Sequence, residues 1–86
     1  MEWREKYDFS SIDLSESDLR GIALRNANLS SANLDFVHLE SVDVSSANFF
    51  GAILSEAHLQ GANLSHADLT NADLNRTIVH ILFFRY

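Results

Sequence analysis

The chain has 86 residues, of which 47% are hydrophobic and 21% charged, with a formal net charge of −6 and no cysteine. That length allows one small domain and that composition can supply a core, so a disordered chain is excluded. Disulfides, thiolate metal sites and thiol nucleophiles are excluded as well, and the absence of any Lys or Arg between Asn26 and Asn75 leaves no basic footprint for nucleic acid.

Residues 1–7 are charged nearly throughout and contain no apolar run of the kind that forms a secretory signal, which predicts a cytoplasmic protein. They are expected to cover the first coil as an N-terminal cap with Trp3 as the apolar contact, or else to fray. No stretch approaches the roughly 20 apolar residues that cross a bilayer, so no membrane partner is expected.

From Asp8 to Asn75 the chain has a period of five. Phe9, Leu14, Leu19, Leu24, Leu29, Leu34, Leu39, Val44, Phe49, Leu54, Leu59, Leu64, Leu69 and Leu74 recur in one phase and include 11 of the 12 leucines. Two positions earlier lie eight of the nine alanines, from Ala27 to Ala72, with Ile12, Ile22, Val37 and Val42 in other slots. Between these two phases stand Asp or Asn, replaced by His38 and His58 and broken by Ala23 and Ile53.

Neither ordinary element can use this period. On an α-helix a step of five moves the leucine stripe by about 140°, and on a flat strand it sends successive leucines to opposite faces. A corner every five residues does fit: Ala inward, Asp or Asn outward, Leu inward, then a two-residue bend. Ser30-Ser31, Ser45-Ser46, Gly51, Gly61 and Asn71 suit such bends, with the serines facing outward. A chain that keeps turning coils on itself, and its axial backbone groups pair with the next coil at about 4.8 Å.

Runs such as Ala62-Asn63-Leu64-Ser65, Ala67-Asp68-Leu69-Thr70 and Ala72-Asp73-Leu74-Asn75 resemble the pentapeptide-repeat family. The resemblance implies an all-β fold, a right-handed quadrilateral β-helix with 20 residues per coil and about three and a half to four coils in this chain. The whole chain is then a single domain: residues 1–7 as cap, 8–75 as regular repeats and 76–86 as an apolar C-terminal cap or dimer segment. Ser17, in an inward slot, departs from the pattern.

The last segment carries Ile78, Ile81, Phe83, Phe84 and Tyr86, an apolar, β-prone cluster that predicts a homodimer contact about a two-fold axis. A self-contained cap or a continuing solenoid are the alternatives. Phe36, Phe50 and Ile53 fall outward by phase and form a possible docking patch. Arg20 and Glu40, one coil apart, are expected to pair on the surface.

A coil of 20 places Asp18, His38 and His58 in one outward column. Rings in a ladder point the same way and seldom converge on one ion, so no metal site is predicted. The repeated carboxylates lack contrasting environments and read as a solvated face, the serines lack an orienting third group, and the three glycines are isolated. No catalytic residue, cofactor or phosphate loop is therefore expected, and the chain is not read as an enzyme.

The function expected is that of a noncatalytic interaction module presenting a rigid acidic surface to a protein partner of unknown identity. The alternative, implied by the resemblance, is a DNA mimic that inhibits or protects a type II topoisomerase. A rod of about 17 Å is short against a DNA turn of about 34 Å, which places mimicry second.

Overall fold

The structure is a computed structural model and describes residues 7–79. A parallel ladder links outward positions 20 residues apart, and four such columns surround the axis. The first face carries Asp8, Asn28, Asn48 and Asp68; the second, Asp13, Asn33, Ile53 and Asp73; the third, Asp18, His38, His58 and Ile78. On the fourth, Asp43 pairs with Asn63. The leucine phase is thereby stacked column by column, with Leu34 and Leu54 fully buried one above the other on the second face.

Each corner is made the same way. The amide following the bend donates to the carbonyl preceding it, as in Ala32 N to Leu29 O at 3.1 Å and Val37 N to Leu34 O at 3.0 Å. The third residue of the turn has a positive φ at every corner from Ser11 to Arg76, and eleven of these residues are not glycine. That is the type II pattern, and for an L-residue it costs about 1–2 kcal/mol. The cost is tolerated because the amide of the same residue is fixed to the next coil, as in Ser31 N to Phe50 O at 2.8 Å and Phe36 N to Ser55 O at 3.1 Å.

Following the five amides of one repeat shows why the sequence reads as it does. Around Leu29, the amide of Ala27 closes the turn to Leu24 O, that of Asn28 reaches back to Tyr7 O, and those of Leu29 and Ser31 reach forward to Asn48 O and Phe50 O. The amide of Ser30 points outward and is taken by Asn28 Oδ1 at 3.1 Å. The same bond recurs at Asp8, Asp13, Asp18, Asn33, Asp43, Asn48, Asn63, Asp68 and Asp73, whose Oδ1 accepts from the amide two residues ahead. The Asp/Asn phase is thus an acceptor built into the corner, a structural role that a solvated face does not describe.

The core is a dry column of Leu24, Leu29, Leu34, Leu39, Val44, Phe49, Leu54 and Leu59, lined by Ala27, Ala32, Ala47, Ala52 and Ala57 with Val37 and Val42. Towards either end the inward side chains open: Ile12 and Ile22 at one end, Leu74 and Val79 at the other, are exposed. Corner geometry continues past Asn75, since Arg76 has a φ of 62° and Ile78 N donates to Ala57 O at 2.8 Å. Ser45, read from sequence as an outward bend residue, is buried.

Leu39→Ala should cost about 2–5 kcal/mol in urea unfolding, and Asn63→Ala, which removes the exposed acceptor of the Ser65 amide and hydroxyl, about 1 kcal/mol. The reverse ranking would contradict the column assignment. Gly61→Ala should be more destabilising than Gly21→Ala, because a Cβ at Gly61 meets Ser41 Oγ at 3.2 Å whereas one at Gly21 meets nothing within 4 Å. Thermal melts of the two variants make the comparison at corners that share a positive φ.

Candidate functional site

Two surface features interrupt the regular ladders. The first surrounds the second face, where Phe36, Phe50 and Ile53 are 42%, 44% and 40% exposed. Elsewhere their columns hold polar residues: Glu16, Glu56 and Arg76 in the column of Phe36, Ser30 and Thr70 in that of Phe50, Asn33 and Asp73 in that of Ile53. Phe36 also holds a φ of 59°, which is unusual for a bulky side chain. Three apolar replacements on two successive coils leave an apolar area on an otherwise polar prism.

The second feature lies on the third face. The rings of His38 and His58 are stacked with centroids 4.5 Å apart and 17° between their planes. The sequence placed these two in one column with Asp18, but Asp18 is engaged by Arg20, which forks onto it through Nε at 2.8 Å and a terminal nitrogen at 2.7 Å. Arg20 therefore does not reach Glu40, and the expected ion pair between coils is not formed. Its place is taken by Glu40, whose Oε2 lies 3.2 Å from His38 Nδ1 and 3.8 Å from His58 Nδ1. Among the described residues this trio is the one group whose metal-ligating atoms come together, all within 4.8 Å of one another.

Sequence reasoning assigned Glu40 to Arg20 and did not join it to the histidines, because the column weighed for a metal held only the outward central phase. The side chain that joins the histidines comes from the next phase, two residues on, and a signal was available in Glu40 and Gln60 lying one coil apart beside His38 and His58. An ion pair between coils does occur at a corner, from Arg76 Nε to Glu56 Oε2 at 3.6 Å. Ile78 continues the third face beneath His58 and is exposed. Ile81, Phe83, Phe84 and Tyr86, expected with it at a dimer contact, lie outside the described residues, as does the N-terminal segment up to residue 6.

Electrostatics follow the corner bonds. The hydroxyl and then the amide of the residue two ahead hold Asp8, Asp13, Asp43 and Asp68 below the ordinary carboxylate value, and the Arg20 fork holds Asp18 lower still. Arg20 is correspondingly raised by Asp18. Burial pushes the Glu40 carboxyl upward, but its own backbone amide, the His38 ring and the charge of Arg20 outweigh burial and keep it below its ordinary value.

A four-sided parallel ladder with a corner every fifth residue defines the class as a β-helical solenoid. The family model for pentapeptide repeats matches residues 8–45 and 45–80, and the chain belongs to that family. Among solved structures it is similar to the pentapeptide repeat protein Rfr23 from the cyanobacterium Cyanothece 51142, with 34% identity and a TM-score of 0.72 over 85% of this chain and 54% of that one. It is also similar to alr5209, a pentapeptide repeat protein from Nostoc PCC 7120, with 30% identity and a TM-score of 0.57 over 86% of this chain and 65% of that one. The chain thus spans between half and two thirds of the length of these relatives. No curated protein matches it in sequence. Pentapeptide-repeat proteins are generally structural or interaction modules and generally noncatalytic.

These aspartates ionise more readily folded than unfolded, so their contribution is complete above the unfolded value of about 3.9 and is lost as pH falls through the lower folded values. Asp68→Asn keeps an oxygen for the Thr70 amide without the titration. It should leave stability at neutral pH nearly unchanged and soften the loss as pH falls below about 4. Urea midpoints at neutral pH and in acid test this, and equal acid sensitivity of the two proteins would refute it.

Proposed function

We propose that this chain is a noncatalytic interaction module, a filled right-handed β-helix of about three and a half coils that recruits a protein partner through the apolar area around its second face. The observation that carries the reading is the coincidence of Phe36, Phe50 and Ile53, each at least 40% exposed, in columns that are otherwise polar. Scattered apolar residues are normal on surfaces, but a cluster of three rimmed by Asp35, Glu56 and Asp73 has the composition of a docking area: apolar centre, polar border. A stacked scaffold holds that area rigid, so little ordering cost is added on binding. The filled interior supports the noncatalytic part, since the inward side chains of the middle coils leave no concave site for a substrate.

DNA mimicry of a topoisomerase substrate is the second reading, supported by the net charge of −6. The apolar area favours a protein-docking role over it, because a mimic of DNA presents charge.

The triple variant Phe36→Glu, Phe50→Ser, Ile53→Asn uses residue types found elsewhere in the same columns and should melt within a few degrees of the parent. Immobilised parent protein should retain a partner from its own cell extract that the triple variant fails to retain. Identical captured sets would dismiss the apolar area, and inhibition of gyrase supercoiling by both proteins alike would move the conclusion to mimicry. For the C-terminal end, where Leu74, Ile78 and Val79 are exposed, we propose contact between two copies. Light scattering should then give a dimer mass that Val79→Asp reduces to a monomer, whereas a monomer at all concentrations removes that contact.

A further inference from the structure

We propose that His38, His58 and Glu40 form a binding site for one transition-metal dication of the zinc type, which clamps two successive coils together on the third face. The donor set is right for such an ion: two imidazoles and one carboxylate suit zinc, nickel or copper, whereas calcium and magnesium prefer oxygen ligands throughout. The spacing is close to right as well. Ligands about 2.0–2.1 Å from a tetrahedral ion stand about 3.3 Å apart, and the Glu40 Oε2 atom lies 3.2 Å and 3.8 Å from the two Nδ1 atoms.

A second observation is independent of these distances. Among the described residues, the buried side-chain oxygens that lack a hydrogen-bond partner are Glu40 Oε1 and Gln60 Oε1, and both belong to the column beside the two histidines. The same two residues are the ones whose corner amides His38 and His58 deprive of the Asp or Asn acceptor used in most other repeats. Two successive rungs thus give up a corner bond and leave an oxygen unpaired at one place on the prism. A buried oxygen without a partner is unfavourable, and a cation beside the carboxylate would compensate it.

The rings do not converge as they stand. A metal bonded to an imidazole nitrogen lies in the plane of that ring, so two rings 17° from parallel must turn to share one ion. The torsion that turns a histidine ring is broad, and side-chain exposures of 39% and 30% leave room on the solvent side. Backbone spacing need not change, because the ladder bonds on either side of both residues run through the main chain: His38 N to Ser17 O and His58 N to Val37 O are each 2.9 Å. The expectation from sequence that stacked rings exclude a metal considered Asp18 as the third ligand; Glu40, reaching both Nδ1 atoms, alters that reasoning.

The test uses the full chain and zinc sulfate alone. Calorimetric titration should show one zinc per chain, and the thermal midpoint should rise with zinc concentration, while magnesium at the same concentration leaves it unchanged. Zinc should also shift the side-chain nitrogen resonances of His38 and His58 and not those of His66. His38→Asn and His58→Asn restore the residue type the corner uses elsewhere, so both variants should melt at or above the metal-free parent temperature. Each should bind zinc at least about tenfold more weakly, and Glu40→Gln should do the same. Absence of saturable zinc binding to the parent, or undiminished binding in the double variant His38→Asn, His58→Asn, overturns the proposal.

Discussion

The structure depends on a corner that an L-residue does not readily make. At every fifth position the chain adopts a positive φ, and eleven of the fourteen residues that do so have side chains. At nine of these corners, among them Ser31, Ser46 and Glu56, the amide of the strained residue bonds to a carbonyl of the neighbouring coil, so these corners are not satisfied by their own repeat alone. Strain in one coil is relieved by the next, which makes stacking a condition of the local geometry as well as a consequence of it.

From this constraint the three kinds of position acquire distinct work. Inward leucines and alanines exclude water from the axis, so that backbone bonds between coils form in a dry surrounding where an unpaired group would be costly. The outward Asp or Asn takes up the one amide per repeat that neither the turn nor the ladder can use. Corner residues are then free to vary in type, from Ser31 to Glu56 to Arg76, provided that each accepts a positive φ. Surface chemistry is accordingly written as columns with a spacing of 20, and the surface changes character where a column departs from its own pattern. The apolar area around the second face and the histidine pair on the third are such departures: in each, a repeat gives up an ordinary corner feature and gains a surface group instead.

Neither departure disturbs the axis. Ile53 N still donates to Ala32 O at 3.0 Å and His58 N to Val37 O at 2.9 Å, so the ladder runs unbroken beneath both. A scaffold of this kind separates recognition from stability. Outward side chains other than the Asp and Asn acceptors can be exchanged at little cost to the stack, which suits a family whose members generally serve as structural and interaction modules.

The order of residues alone determined the phase of the core, the position of every corner and the outward direction of Phe36, Phe50 and Ile53, because each follows from a strict period of five that neither helix nor strand can carry. It also set the column containing His38 and His58 once four repeats per coil were assumed. What Asp and Asn do was not legible, since an outward polar phase looks the same whether it faces water or binds a backbone amide, and only the direction of the amide two residues ahead decides between them. Tertiary structure alone decided that Arg20 turns to Asp18, that Glu40 reaches both imidazoles and that Ser45 is buried. The physical reason is that period specifies where a Cβ points, whereas long side chains choose among partners within their own rung and on the rungs on either side, and that choice rests on rotamers and local electrostatics that spacing does not encode.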